Sequence, residues 1–269
     1  MPLPEFSQVR YSKSPLRLVI CQVRFPSLLR ISDAAFVAPF QEAIAHEYPH
    51  LRREKQMALQ LSAAGMSPTT EELLYRFMDP AEAWSVVLGE GSLTLEARAY
   101  SHVEDLLRRF EHVANAARDT LGIEERQRLG LRYVNEFRNE GASTLADWRE
   151  YFRPEFLGYP ADLFHQEAVT YATHQIRVDR ADGVFTVRHG LMRGTVVPPF
   201  PGSTKGLEKL PQGPFYLLDL DYSDTRPGAL DVTASREQLV AYNASIYHFF
   251  RWTLTEHHHA ALEPLDARS

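Results

Sequence analysis

Two aspartates, Asp219 and Asp221, stand at alternate positions in the stretch YLLDLDY. On a β-strand both carboxylates leave the same face, because strand side chains alternate between faces. Such a pair is suited to holding Mg²⁺ or Mn²⁺ against a phosphate, as in nuclease and nucleotidyl-transfer sites, and Asp224 offers a third oxygen ligand. An ordinary acidic strand face has the same spacing. We predict that the pair holds no metal and that at least one acid is exposed or paired with an arginine of an adjacent strand. The metal-dependent enzyme is the alternative.

The other residues with catalytic or metal-binding chemistry lack the spacing that such sites need. His257, His258 and His259 are consecutive, so on a helix they point in three directions, and we expect a solvated helix end. The sequence has no cysteine–histidine cluster with zinc spacing, no glycine-rich phosphate loop and no G-x-S-x-G turn. The single cysteine, Cys21, lies in an apolar stretch, which favours an inert buried thiol. We therefore predict a protein without catalysis and without a cofactor, with Mg²⁺ or Mn²⁺ at the aspartates as the alternative.

The stretch RLGLRYVNEFR, residues 128–138, alternates apolar and charged side chains like a strand with one buried face. Asn135 breaks the pattern, because it falls on the apolar side. A buried carboxamide needs hydrogen-bond partners. We predict that Asn135 has a structural role, buried and bonded to backbone groups, and a ligand contact is the alternative.

Three arginines lie on predicted strands among hydrophobic residues, namely Arg24, Arg132 and Arg138. An antiparallel sheet with helices on one side leaves its other face free for a partner. We predict that these arginines line the open face and contact a ligand or a partner, either a protein or a nucleic acid.

The first part of the chain predicts the element order β-α-β-β-β-β-α. Ser32 or Asp33 caps the first helix, which follows an apolar strand. Four short strand candidates come next, and a tight turn joins the last two of them. Ser101 and Glu104 form a capping box that opens the second helix, and Gly122 ends it.

The second part of the chain repeats this order more loosely. The strand at 128–138 is followed by a short helix and by a hairpin formed by 167–179 and 183–190. After the strand that carries the aspartates, Ser235 and Gln238 form another capping box and open a long helix.

These elements predict an α+β fold made of two tandem β-α-β(3–4)-α halves, residues 10–125 and 126–258. Their strands form one long curved antiparallel sheet, and the helices pack on one face of it. Residues 194–214 are rich in proline and glycine, which predicts an irregular loop.

Several stretches spread over nearly the whole chain resemble a known family when they are taken together. They are ICQVRFPSLLRI, FQEAIAHEYP, LGLRYVNEF, YLLDLDY and FRWTLTEHHHAALEP. In these stretches the chain resembles the sporadically distributed family of uncharacterised prokaryotic proteins. The resemblance implies no activity, cofactor or catalytic residue. It does imply a link to mobile-element or defence loci, because the family is distributed in patches among bacteria and archaea.

The composition narrows the class of protein. Hydrophobic residues make up 44% of the chain and charged residues 24%, as in ordinary globular proteins. The apolar runs are too short to span a bilayer, the N-terminus lacks a secretion signal, and one cysteine fits a reducing compartment. The net charge of −6 argues against a non-specific grip on DNA, which needs clustered Lys and Arg. We predict a non-catalytic binding or adaptor protein of the cytoplasm that does not associate with membranes. Its oligomeric state stays open.

Overall fold

A computed structural model describes most of the chain, namely residues 4–62, 65–164, 166–195 and 211–265. For 56–62 and 65–71 the description covers the backbone alone. Most of the loop predicted at 194–214 therefore lies outside the described residues.

The described residues fold into strands and helices, each numbered in chain order. The strands are β1 (Arg10–Tyr11), β2 (Leu16–Arg24), β3 (His50–Ser62), β4 (Gly65–Met78), β5 (Trp84–Gly89), β6 (Ser92–Ala97), β7 (Glu125–Arg126), β8 (Arg128–Phe137), β9 (His174–Arg180), β10 (Gly183–Arg193), β11 (Pro214–Asp224), β12 (Gly228–Ala229) and β13 (Pro264–Leu265). The helices are α1 (Ala34–Ile44), α2 (Val103–Leu121), α3 (Pro154–Leu157), α4 (Tyr159–Leu163), α5 (Val232–Thr253) and α6 (Glu256–Ala261), with short 3-10 helices at Leu29–Ser32 and Ala146–Glu150.

A nine-stranded antiparallel sheet dominates the fold, with the strand order β3-β4-β5-β6-β2-β8-β11-β10-β9. Helices pack on this sheet, so the predicted α+β class is confirmed. Two short strand pairs, β1 with β13 and β7 with β12, lie outside it. Among the described helices, none combines the length and apolar character that crossing a bilayer requires.

The internal contacts divide the chain into two compact units, each made of separate stretches. The first unit comprises Met1–Val19, Arg132–Tyr222 and Val240–Ser269, and the second comprises Ile20–Leu131 and Ser223–Leu239. The tandem halves expected from the sequence are a different division of the chain, and their likeness stays a prediction.

In the second unit, β3, β4, β5 and β6 follow one another as antiparallel neighbours. Helix α2 buries Leu106, Phe110 and Val113, whose spacing of three and four residues places them on one stripe. Phe40 of α1 meets Phe77 of β4 edge to face, with the ring centroids 5.6 Å apart. The two helices also contact each other, so they enclose an apolar core against these strands.

In the first unit, β9 and β10 form a hairpin that the two residues 181–182 close. Tyr222 of β11 stacks on Tyr242 of α5, with the ring centroids 4.2 Å apart. Phe185 of β10 contacts Phe249 of the same helix edge to face. Helix α5 therefore covers one side of β10 and β11 and leaves their other side to the candidate site.

The helix starts show which capping predictions hold. Asp33 accepts a hydrogen bond from a first-turn N–H of α1, as predicted. The capping box at Ser101 is wrong, because the chain is still extended at His102, whose ring is the acceptor at the start of α2. The second box is also wrong, because Asp231 caps α5 and Ser235 lies one turn inside that helix.

Candidate partner-binding face

Strand β11 has one face that a helix covers and one face that carries Asp219 and Asp221. Its even-numbered residues from Tyr216 to Tyr222 are at most 1% exposed and belong to the side that α5 covers. The odd-numbered residues from Phe215 to Asp221 point the other way, because side chains alternate along a strand. The candidate site is built on this second side.

Asp219 is the buried centre of the site, with 3% of its side chain exposed. Arg132 of β8 holds it with two bonds, since Nε and Nη2 each donate to a carboxylate oxygen at 2.6 Å. Nη1 of Arg188 in β10 donates to Oδ2 at 3.3 Å. Forked pairing of this kind is strong and fixes the geometry of the guanidinium, and the hydrogen bond to Asp219 raises the pKa of Arg132. The expectation that one acid pairs with an arginine of an adjacent strand is confirmed.

The two arginines form the accessible part of this arrangement. The side chain of Arg132 is 37% exposed and that of Arg188 is 41% exposed. Gln175 of β9 fixes Arg188 further by accepting from its Nε at 3.1 Å. Within the described part of the chain, Nη1 of Arg132 and Nη2 of Arg188 make no hydrogen bond. These donors are held in place and remain available to a partner.

A small apolar cluster lies on the same side of the sheet in this unit. Val134 of β8 and Phe215 and Leu217 of β11 are its buried members, and the partly buried Leu18 and Met192 pack against them. We use the name arginine face for the surface formed by Arg132, Arg188, Asp219, Leu18 and Met192.

Arg138 lies on the expected side of the sheet, with its guanidinium 5.0 Å from the ring centroid of Phe215, but its donors are bonded within the chain. Its guanidinium pairs with Glu136 at 2.7 Å and donates to the backbone carbonyls of Gly194 and Gly213, the second at 3.4 Å. The N–H of Gly194 also donates to the carbonyl of Gly213 at 3.1 Å. Arg138 therefore joins the two ends of the 194–214 segment, and Thr195 reinforces this junction by donating to Glu136 at 3.0 Å.

Arg24 belongs to the second unit, where it lines an open cleft of about 470 Å³. Arg128 lines the same cleft and donates to Gln22 at 3.1 Å. The structure thus places the three predicted arginines in three different settings. Arg132 holds Asp219, Arg138 holds a chain segment, and Arg24 borders a cleft.

Asn135 lies on the covered side of β8, as its position in the alternation requires. The residue is 4% exposed, and its Nδ2 donates to the backbone carbonyl of Leu218 in β11 at 3.1 Å. The predicted burial and the predicted bond to the backbone are confirmed. On the same side, the Tyr133 hydroxyl donates to Asn243 of α5 at 2.8 Å, so a second polar pair links this strand to its helix.

The alternative of a metal-dependent enzyme requires free carboxylate oxygens at Asp219, but arginine side chains already bind them. Both oxygens of Asp219 accept from guanidinium groups. Asp224 is bonded to Arg226 at 2.8 Å; burial raises its pKa, but the bonds to Arg226 outweigh this and hold the pKa at about 2. In the described residues, no group of three or more His, Cys, Asp and Glu side chains could hold a metal ion. A metal at Asp219 would have to displace two arginines.

The three consecutive histidines are only partly the solvated helix end that we expected, because His257 is 59% exposed but its neighbour is buried. They lie in α6, whose first turn Thr255 caps, and His258 is 6% exposed. Its Nδ1 faces the carbonyl of Tyr151 at 3.0 Å, and its ring contacts Phe152 edge to face. Burial, the largest effect, lowers the pKa of His258 to about 4, against the bond to Tyr151. The middle histidine is therefore part of the core.

Two functional candidates were missed from the sequence, Arg188 and Arg128. Both follow the alternation that identified the other arginines, since Arg188 stands between the buried Val187 and His189 of β10. The sequence does not show that β10 pairs with β11, and this pairing brings Arg188 to Asp219.

Compared with known proteins, the chain matches no family model and no curated protein.

Proposed function

We propose that this chain is a non-catalytic binding or adaptor protein of the cytoplasm, and that its arginine face binds another protein. The observation that carries the proposal is that Asp219 fixes the guanidinium groups of Arg132 and Arg188 while both side chains stay accessible. Both guanidinium groups are held by a carboxylate that is 3% exposed, while their own side chains are 37% and 41% exposed. A group that is already fixed loses little conformational entropy when it binds.

The composition of the arginine face favours a protein partner over a nucleic acid. Arginine and methionine beside apolar side chains are enriched in protein interfaces, and here Leu18 and Met192 stand beside the apolar cluster. Within β8, β10 and β11 the charges on this side balance, because Glu136, Asp219 and Asp221 match Arg128, Arg132 and Arg188. Phosphate binding requires an excess of cations, and the whole chain carries −6.

We propose the cytoplasm as the compartment because of the low cysteine content. The chain has one cysteine, and Cys21 is buried with no second thiol to pair with. Its burial raises the pKa of the thiol, so it stays protonated and unreactive.

The resemblance to the sporadically distributed prokaryotic family supports a further proposal, that the partner is encoded with mobile-element or defence loci.

Affinity capture with matched variants tests the binding proposal. The face variant replaces Arg132 and Arg188 by Lys, which keeps both charges but removes the forked geometry. The control replaces Arg149 and Arg236 by Lys, because their side chains are exposed to a similar degree, 43% and 40%. Thermal unfolding first confirms that all forms are folded.

We expect the wild type and the control to capture the same protein from an extract of cells that express the chain. The face variant should lose it. With the purified partner, the face variant should bind at least tenfold more weakly by calorimetry. Equal binding of the partner by the wild type and the face variant would contradict the proposal.

A further inference from the structure

The strand β9 is the last strand at one end of the sheet, and it has the features of an interaction edge. It is seven residues long and pairs with β10 in a continuous register without a bulge. Proteins usually protect such edges with bulges, prolines, charged side chains or a covering segment, because a free edge templates further strands. Of these devices β9 has only charged side chains, and Arg177 and Asp179 are of opposite sign. In the part of the chain that the structure describes, only β10 pairs with it.

The hairpin geometry fixes which backbone groups of β9 face outward. Arg180 and Gly183 flank the two-residue turn, so they form the hydrogen-bonded pair that closes the hairpin. Hydrogen-bonded and non-bonded pairs alternate along an antiparallel ladder. The N–H and C=O groups of Gln175, Arg177 and Asp179 therefore point away from β10 and are available to another strand.

The side chains of β9 are exposed as well. Ile176 is 50% exposed and Val178 is 39% exposed, although their neighbours across the hairpin, Val187 and Phe185, are buried at 1%. Arg177 and Asp179 form an ion pair within the strand at 3.0 Å, with their side chains 64% and 75% exposed. An ion pair this exposed contributes little stability, so exchanging it for another pairing costs little.

We propose that β9 pairs with β9 of a second copy of this chain, antiparallel and centred on Val178. In this register Arg177 lies opposite Asp179 of the copy, and Asp179 lies opposite Arg177 of the copy. Opposite charges at facing positions stabilise a sheet, and like charges destabilise it. Arg177 and Asp179 then form hydrogen-bonded pairs with Asp179 and Arg177 of the copy, and Val178 meets its own counterpart.

The neighbouring symmetric registers lack this fit. A register centred on Arg177 places two like charges face to face. A register centred on Ile176 places Arg177 opposite Gln175 and leaves Asp179 beyond the partner strand. Only the register centred on Val178 combines outward backbone groups, matched charges and burial of Val178. A two-fold axis through that residue gives an isologous dimer that joins the two sheets edge to edge.

Charge reversal on β9 tests the dimer with an internal rescue. Arg177→Asp places acids opposite acids, and Asp179→Arg places arginines opposite arginines. The double variant Arg177→Asp/Asp179→Arg restores opposite charges in the same register. An equimolar mixture of the two single variants also does so, because one strand then carries only acids and the other only arginines at these positions. Arg236→Glu serves as a control reversal, since that side chain is 40% exposed on α5.

Sedimentation equilibrium over a wide concentration range is the measurement. We expect the wild type, the double variant and the control to dimerise, and each single variant to have a dimer dissociation constant at least tenfold higher. The mixture of single variants should form a heterodimer more tightly than either variant dimerises alone. A monomeric wild type, a dimer that tolerates both single reversals, or a mixture without a heterodimer would each overturn the proposal.

Discussion

A carboxylate that is only 3% exposed needs cations or donors around it, and Asp219 has two guanidinium groups against it. The spacing of Asp219 and Asp221 is equally suited to a metal ion and to an arginine. The neighbours decide between these uses, because β8 and β10 bring Arg132 and Arg188 to the same carboxylate. At the residue scale, Asp219 therefore positions two arginine side chains.

The first residue-scale prediction concerns metal binding at the aspartates. We expect Mg²⁺ and Mn²⁺ to bind the wild type no more tightly than the double variant Asp219→Asn/Asp221→Asn, because guanidinium groups already occupy Asp219. Calorimetric titration of both proteins is the check. Micromolar binding by the wild type that disappears in the variant, together with a nuclease activity that disappears with it, would establish the metal-dependent enzyme instead.

The second residue-scale prediction concerns the carboxamide in the core. Asn135→Ala should lower the free energy of unfolding by about 1–3 kcal/mol, because the carbonyl of Leu218 loses its donor in a buried place. Urea unfolding monitored by fluorescence gives the value. Asn115→Ala on α2 is the control, since that residue is only half-buried, and its change should stay within about 0.5 kcal/mol. An equally small loss at Asn135 would return it to a ligand-binding role.

At the element scale, side chains of one strand hold segments that follow much later in the chain. Arg138 at the end of β8 donates to the carbonyls of Gly194 and Gly213, which bound a segment rich in proline and glycine. A charged residue next to a strand end thus holds a backbone carbonyl that lies 56 positions away in sequence.

The element-scale prediction follows from this junction. Arg138→Ala should speed amide hydrogen exchange at Gly194 by at least tenfold. The Gly194 N–H donates to the Gly213 carbonyl, and this bond opens more often when Arg138 no longer holds both glycines. Arg193→Ala is the control, since Arg193 is exposed at the end of β10. Exchange measured by NMR or mass spectrometry distinguishes the two variants. Unchanged protection of Gly194 in Arg138→Ala would show that other contacts hold the junction.

At the scale of the whole molecule, two buried histidines couple the fold to pH. Burial lowers the pKa of His189 to about 4, with a smaller effect of His174, and burial also lowers the pKa of His258 to about 4. In the unfolded chain both rings take up a proton near 6.5. The unfolded state therefore binds more protons between these values, and stability falls as the pH drops from 6.5 toward 4.

Replacing one of these histidines tests the coupling. His258→Asn keeps a donor near the carbonyl of Tyr151 but does not titrate. We expect the wild type to lose stability between pH 6.5 and 4, with His258 contributing at most about 3 kcal/mol of that loss. In the variant the dependence on pH should be shallower by that amount. Chemical unfolding across this pH range is the measurement, and parallel curves for the two proteins would exclude a role for His258.

The predicted tandem halves also belong to the whole molecule. Outward from the contact of β2 with β8, the strand order is β2-β6-β5-β4-β3 on one side and β8-β11-β10-β9 on the other. If the halves are related, 10–125 and 126–258 should superpose in a crystal structure with β2 on β8 and α2 on α5. A first half without a counterpart of α5 in that superposition would remove the repeat.

The sequence by itself determined the class of fold and most of the elements, because alternation and helical spacing are local properties of the chain. It also placed Asn135 in the core, since that residue stands on the buried side of a regular strand. The helix starts at His102 and Asp231 were not determined, because a cap depends on where the backbone leaves its extended conformation. Local spacing was likewise insufficient at His258, which packs in the core through contacts with residues around 151.

Only the tertiary structure decided what the charged residues do. Arg132 and Asp219 are 87 positions apart in sequence, and Arg188 and Asp219 are 31 apart. They meet because β8, β11 and β10 are neighbours in the sheet, and strand order depends on long-range pairing that no local pattern encodes. The same order leaves β9 at an edge, where the outward-facing backbone groups of the strand have no neighbouring strand among the described residues.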